Sequence, residues 1–219
     1  KPSSIIVINN GSSDNTESML IENKISYITQ DNLGSAGGWA RGIEYALDEG
    51  YEACWLMDDD GYPEHNALYH LEKNFNDDIS CISSLVVKEN DHNSFVFPIP
   101  VLDRNFLPKI FGIPRKLYTF KSLEKHHSGD SYPFAHLFNG ALISTKAIRK
   151  IGNVNKDFFL MGDEVDYFFR LRKVGRVISQ KQAIHFHPDV AKRKFNSLKV
   201  YYFIKNSMIL NSRYFNFPY

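Results

Sequence analysis

The chain has 219 residues, 43% hydrophobic and 14% aromatic, with a formal net charge of +1. That length and apolar content suffice for one sizeable core. The near-neutral balance offers no whole-protein attraction for nucleic acid, and no apolar run approaches the roughly 20 residues that span a bilayer. The two cysteines, Cys54 and Cys81, each lie inside an apolar run, which fits core thiols in a reducing compartment better than a bridge.

In chain order, "SSIIVI" (3–8) is the β-branched pattern of a strand buried on both faces, entered almost at once. The chain is therefore expected to begin inside a larger protein. The turn cluster "NNGSSDNTE" leads to a helix from Asp14 to Glu22, and "ISYIT" (25–29) reads as a second strand. "DNLGSAGGWARGIEYALDEG" gives a glycine-rich loop and a helix ending at Gly50, followed by the buried strand "ACWLM" (53–57). "NALYHLEKNF" is helical and "SCISSLVV" (80–87) is again a strand. Residues 88–136 carry Pro98, Pro100, Pro108, Pro114 and Pro133 without clear periodicity and are expected to form an irregular insertion over the site. Regular structure returns with "FNGALIST" (138–145), a helix near Lys146–Ile151 and the helix "DEVDYFFRLRKVG" (163–175). A short strand at "RVISQ", the segment "AIHFHP" and the amphipathic helix "NSLKVYYFIKNSMILNSRYF" complete the pattern.

Strands alternating with helices predict an α/β protein with a mostly parallel sheet, whose ligand site lies outside the carboxyl ends of the strands. "NNGSSD", "DNLGSAGG" and "DDD" all fall at that edge. Asp58, Asp59 and Asp60 repel one another unless a cation sits among them. A D-x-D pair leaving a strand, Asp58 with Asp60, suits Mg²⁺ or Mn²⁺, with Asp60 the more direct ligand. The plainer reading is a solvated acidic turn closed by Gly61 and Pro63. His185 and His187 share one face of an extended segment, and His185 is the candidate third ligand. Gly34, Gly37 and Gly38 precede a helix N-terminus that can receive an anion, with Arg41 near it; a tight turn would use the same residues. Asp163, Glu164 and Asp166 sit in a first helical turn, either as capping acids or as a base that takes a proton from an attacking hydroxyl. Trp39, Phe158 and Phe159 are candidate sugar platforms, although core is the commoner fate of aromatics.

These pieces, in this order, resemble glycosyltransferase family 2, the inverting nucleotide-sugar transferases of GT-A type fold, over nearly the whole chain. "IIVINNGSSDNT" resembles its nucleotide-side strand and loop, "LMDDD" its D-x-D, "GDEVDYFFRLRKVG" its catalytic helix and "AIHFHP" its late metal-binding segment. Within the family, "NLGSAGGWARG" with "WLMDDD" looks most like galactofuranosyltransferases, then rhamnosyltransferases of polysaccharide assembly. The resemblance implies one catalytic domain over 1–219, with a nucleotide-sugar half (1–87) and an acceptor half with the C-terminal helix (88–219), and with the family's first strand upstream of Lys1. It implies a nucleotide-sugar site at Asn9, Asp14, Asn32, Gly37, Gly38, Arg41, Asp58 and Asp59, and a Mn²⁺ or Mg²⁺ site at Asp58, Asp60 and His185. Glu164, or its neighbour Asp163, would be the general base, with Asp166 and Trp39 toward the acceptor. Asn9 stands where the family often has Asp, and the acid pair runs Asp-Glu. The implied reaction moves a sugar, with UDP-galactofuranose favoured as donor, to a glycan or lipid-linked glycan. It would take place in the cytoplasm or at the inner face of the membrane, which the C-terminal helix could touch. The alternatives are a sugar-phosphate nucleotidyltransferase, for which no basic glycine-rich start is seen, and a non-catalytic nucleotide-sugar-binding module. A glycosidase needs two carboxylates but neither a cation nor a phosphate loop.

Overall fold

The computed structural model describes residues 1–109, 111–190 and 196–215. Strand β1 (Val7–Asn10) leads through helix α1 (Thr16–Glu22) to strand β2 (Tyr27–Gln30), helix α2 (Gly34–Asp48) and strand β3 (Ala53–Met57). Next come β4 (Tyr62–Pro63), α3 (Ala67–Asn74), β5 (Ile79–Lys88), β6 (Asp91–Pro100) and β7 (Lys116–Thr119). They are followed by α4 (Phe120–His126), β8 (Ser131–Tyr132), β9 (Asn139–Ser144), α5 (Thr145–Ile151), α6 (Asp163–Arg172), β10 (Arg176–His187) and α7 (Ser197–Tyr214). Two compact units result, the first drawing on residues 1–54, 145–174 and the α7 segment, the second on residues 55–144 and the β10 segment.

In the first unit β1 and β2 pair in parallel, Val7 opposite Tyr27 through Asn10 opposite Gln30. The strand starts later than its apolar letters suggest, because residues 3–5 are exposed, and it runs on through both asparagines. Helix α2 buries Ala36, Gly37, Ala40, Ile43 and Ala46 on one face, the three-and-four spacing of a packed stripe. The glycines expected in a loop are inside this helix. A side chain on Gly37 would collide with Leu33, so that glycine is small for packing, whereas one on Gly38 would meet Asn10 at 3.6 Å, an ordinary contact. Gly34 is the one whose conformation matters: its φ of +70° makes the turn into α2, and a Cβ there would strike the Phe159 carbonyl.

In the second unit the sheet is mixed rather than mostly parallel. Its order is β3-β9-β5-β10-β4, with β6 on β5, β7 on β6 and β8 on β10. Strands β5 and β10 run parallel. Strands β9 and β6 pair antiparallel with β5, and β4 and β8 antiparallel with β10. The β5–β6 pair follows from its short connection, which allows only an antiparallel return, whereas β9, β4 and β8 reach their antiparallel partners from distant parts of the chain. Residues 88–136 are correspondingly more ordered than their prolines suggest. They supply β6, β7, β8 and α4, the last opened by a capping box between Thr119 and Ser122. Pro98 and Pro100 fall at and beside the register shift between Ser94 and Ile99, where a strand tolerates missing N–H groups. Phe95, Ile99, Leu117, Leu123 and Tyr132 from this segment join Leu85 and Val87 in one buried cluster. The "RVISQ" and "AIHFH" stretches form a single strand, β10, interrupted by an irregularity between Gln180 and Ile184.

Candidate active site

Strand β3 hands its chain to the three aspartates, and β4 turns it back. Tyr62 pairs with Phe186 and Pro63 with His185, antiparallel on β10, while the Glu64 N–H donates to the Ile184 carbonyl at 2.9 Å. That return lays the aspartate turn alongside the end of β10. Ligand atoms of Asp58, Asp60 and His187 all lie within 4.8 Å of one another. His185, the expected third ligand, is not in this group; His187 takes its place. His187 Nε2 is 2.9 Å from Asp60 Oδ1, with the imidazole almost wholly buried and the carboxylate about one-third exposed. Its Nδ1 lies 2.7 Å from the Pro188 carbonyl, which can only accept, so Nδ1 carries the proton. A neutral His187 therefore turns a lone pair toward a carboxylate, two acceptors face to face. A cation between them resolves that opposition. Two carboxylates and an imidazole oriented by a carbonyl form a donor set suited to a divalent cation, and two ligands of one ion at about 2.1 Å and a right angle lie about 3 Å apart.

His185, two residues earlier, is fully buried. Its ring is boxed between two glycines. A side chain on Gly61 would collide with Nε2, and a Cβ on Gly140 would come within 3.2 Å of Nδ1. Neither nitrogen has a hydrogen-bond partner among the described residues. Burial, then the charge of His187, pulls its pKa down to about 4, so it stays a neutral wedge beneath the aspartate turn.

Apart from Asp58 and Asp59, the residues expected on the nucleotide side belong to the first unit. Asn9 is buried and already used, accepting from the Ser12 N–H at 3.2 Å and approaching Thr29 Oγ1 at 3.5 Å. Its neighbour Asn10 is the organiser: Nδ2 donates to the Gly34 carbonyl at 2.8 Å, and Oδ1 accepts from Gln30 at 2.7 Å and the Leu33 N–H at 3.2 Å. Exposed Asn32 accepts from the Gly34 N–H at 3.0 Å. Asp14 is exposed and caps Thr16, whose side-chain and backbone bonds hold its carboxyl below the usual range. Arg41 pairs with Glu44 at 3.5 Å on the helix surface, and Trp39 is half-buried.

The acidic helix α6 is brought to the start of α2. The Ala36 N–H donates to the Phe159 carbonyl at 3.2 Å, and Ser35 Oγ donates to Asp163 at 3.4 Å. Asp163 is buried, and burial together with the charge of Glu164 raises its pKa to about 6. Glu164 remains half-exposed, while Asp59 and Asp58 are exposed in the second unit. Asp166, expected toward the acceptor, is instead buried and engaged: Arg170 donates at 2.8 Å, Arg213 at 3.3 Å and the Tyr214 hydroxyl at 2.6 Å. Sequence patterns alone do not single out Ser35 or Asn10, nor His187 as a ligand. The H-x-H alternation is the one signal for His187, since both imidazoles share a strand face.

The family model described as Glycosyl transferase family 2 matches residues 1–143. The chain belongs to glycosyltransferase family 2. Among curated relatives of this family 2 chain, the galactofuranosyltransferase GlfT1 of Mycolicibacterium smegmatis is 29% identical over 181 residues, covering 80% of the chain and 57% of the relative. The chain thus spans less than two thirds of the length of that relative. The low-salt glycan biosynthesis hexosyltransferase of Haloferax volcanii is 26% identical over 96% of the chain and 68% of the relative. Among solved structures, GalNAc-T7 with UDP, GalNAc and Mn²⁺ matches at TM-score 0.63 and 12% identity, over 95% of this chain and 41% of that one. The Pyrobaculum calidifontis mannosyltransferase in complex with GDP-Man and Mn²⁺ matches at 0.57 and 15% identity, over 94% and 52%. At such identities the likeness establishes the fold, an α/β architecture of GT-A type.

Proposed function

We propose that this family 2 protein transfers a sugar from a nucleotide-diphosphate donor to a glycan or lipid-linked glycan acceptor with inversion, UDP-galactofuranose being the favoured donor. The observation that carries the reading is the convergence of Asp58, Asp60 and His187 at the end of β3 and β10. These three residues would hold Mn²⁺ or Mg²⁺, in keeping with the Mn²⁺ of the two GT-A neighbours. A bound cation would neutralise charge developing on the departing diphosphate. Asn9, Asp14, Asn32, Gly37, Gly38 and Arg41 of the first unit, and Asp58 and Asp59 of the second, are each assigned to nucleotide-sugar binding. Trp39 is kept as an acceptor-side candidate.

Glu164 is assigned as the base. It keeps solvent access, whereas Asp163 is buried against Ser35. As the acceptor oxygen bonds to the anomeric carbon, the bond to the phosphate oxygen breaks, the acceptor proton passes to the Glu164 carboxylate and the nucleoside diphosphate leaves. Residues 1–219 act in this reading as one catalytic domain. No described helix is long and apolar enough to cross a membrane. The outward face of α7, with Tyr201 58%, Ile204 54% and Met208 67% exposed, supports contact with a cytoplasmic membrane surface that presents a lipid-linked acceptor.

The test is product analysis. The protein is incubated with Mn²⁺, an acceptor glycan and either UDP-galactofuranose or dTDP-rhamnose. Glycan extended by galactofuranose, with UDP released and Glu164→Gln inactive, is expected. Formation of a nucleotide sugar from sugar phosphate and nucleoside triphosphate, with no glycan extension, would overturn it.

A further inference from the structure

Between the turn Lys156–Phe158 and α6 the backbone takes an unusual course. Phe159, Met161 and Gly162 have φ of +58°, +64° and +90°, the left-handed region that non-glycine residues rarely occupy. Such a run persists only where its surroundings over-determine it. Part of the support comes from α2, through the bond from the Ala36 N–H to the Phe159 carbonyl. The rest comes from α7. The carboxamide of Asn206, only 1% exposed, directs Nδ2 at three carbonyls of this run: Phe158 at 2.9 Å, Leu160 at 3.0 Å and Met161 at 2.6 Å. The same helix stacks Tyr202 on Phe159 with ring centroids 5.0 Å apart, and Lys205 Nζ donates to the Asp157 carbonyl at 3.1 Å. About two turns further along α7, Arg213 and Tyr214 hold Asp166. A Cβ on Gly162 would sit 3.1 Å from that of Asn206, so helix and turn are already in close contact.

We infer that Asn206 is a positioning residue for glycosyl transfer: its buried amide gathers three carbonyls of the turn before α6 and thereby fixes the acids of that helix's first turn. The inference rests on the assignment of the base to Glu164. The chemistry suits the donor end of an amide: its two N–H hydrogens are shared among three convergent carbonyls, of which that of Phe158 also accepts from the Leu160 N–H, while Oδ1 has no hydrogen-bond partner among the described residues. Asn206→Asp has the same shape but presents carboxylate oxygens to those carbonyls, replacing attraction by repulsion. Asn206→Gln keeps the donor on a longer stem.

Two readouts test this, with Leu210→Ala as a control that removes buried apolar volume from α7, including the packing of Leu210 near Gly162, but leaves the three amide–carbonyl bonds in place. The first is hydrogen–deuterium exchange. Residues 158–163 should exchange at least tenfold faster in Asn206→Asp and less than threefold faster in Leu210→Ala. The second is kinetics: kcat should fall at least tenfold in Asn206→Asp while the donor KM stays within twofold, with Asn206→Gln intermediate. If Asn206→Asp does not fold, Asn206→Gln and Asn206→Ser carry the same comparison. Unchanged exchange in folded variants, or an equal loss of kcat in Leu210→Ala at matched thermal stability, would overturn the inference. Absence of sugar transfer by the wild type would instead sink the functional reading and leave the exchange result to decide this one.

Discussion

Replacing Asp163 by asparagine should make the protein more stable at neutral and alkaline pH, although the residue carries a charge at a helix N-terminus. Asp163 is 4% exposed, and burial first, then the neighbouring Glu164 charge, raises its pKa from 3.8 to about 6. A carboxyl raised in this way binds its proton in the folded state at pH values where the unfolded chain has released it. Stability is therefore gained as pH falls from about 6 toward 3.8, and the ionised group penalises folding above 6. That interval, at about 1.4 kcal/mol per pH unit, amounts to about 3 kcal/mol at pH 8. The carboxamide introduced by Asp163→Asn would keep the contact with Ser35 and carry no charge to desolvate. The assay is thermal or urea unfolding of wild type and Asp163→Asn at pH 4 and pH 8. Near-equality at pH 4 and a gain of up to about 3 kcal/mol at pH 8 are expected, or roughly 6–12 °C in midpoint for a chain of this size. Equal destabilisation at both pH values would show instead that the carboxylate is stabilised where it sits.

Gly61→Ala should cost about 1–3 kcal/mol by overpacking, because the added methyl collides with His185 Nε2 and lies 2.9 Å from the Phe186 carbonyl. Since the same turn carries Asp60, Mn²⁺ affinity should fall with it, measured by urea midpoint and by metal titration. Tyr214→Phe removes a 2.6 Å hydroxyl donor to Asp166 and should lower stability by about 1–3 kcal/mol near pH 7. Burial, then the hydrogen bond to Asp166, pushes the Tyr214 hydroxyl up to about 12, so this contribution is whole below pH 10 and fades as pH rises through 12. Ultraviolet titration of wild type against the variant should lose one late-titrating phenol.

Buried strands were legible because continuous apolar runs such as those of β3 and β5 have few other uses in a chain of this size. The carboxylates at the end of β3 were legible for the converse reason, since like charges crowd only where something offsets them. Gly37 misled because glycine serves two ends, left-handed backbone and close packing, and one letter does not say which. Residues 88–136 hid three strands because prolines at a bulge look the same in sequence as prolines in a loop. The choice between His185 and His187 was beyond the sequence. Both face one side of β10, and it is the antiparallel return through Tyr62 and Pro63 that sets Asp60 beside the second. Asn206 left no trace at all, since an asparagine in an amphipathic helix is ordinarily a surface residue.

Asp58, Asp60 and His187 together would form a cation site that holds the diphosphate of a nucleotide donor. Calorimetric titration of UDP into the protein, first with Mn²⁺ and then with EDTA, is the decisive measurement. Binding should require Mn²⁺ and be lost in Asp60→Ala and His187→Ala, both still folded. Binding of equal strength in EDTA, or undiminished in either variant, would rule the site out.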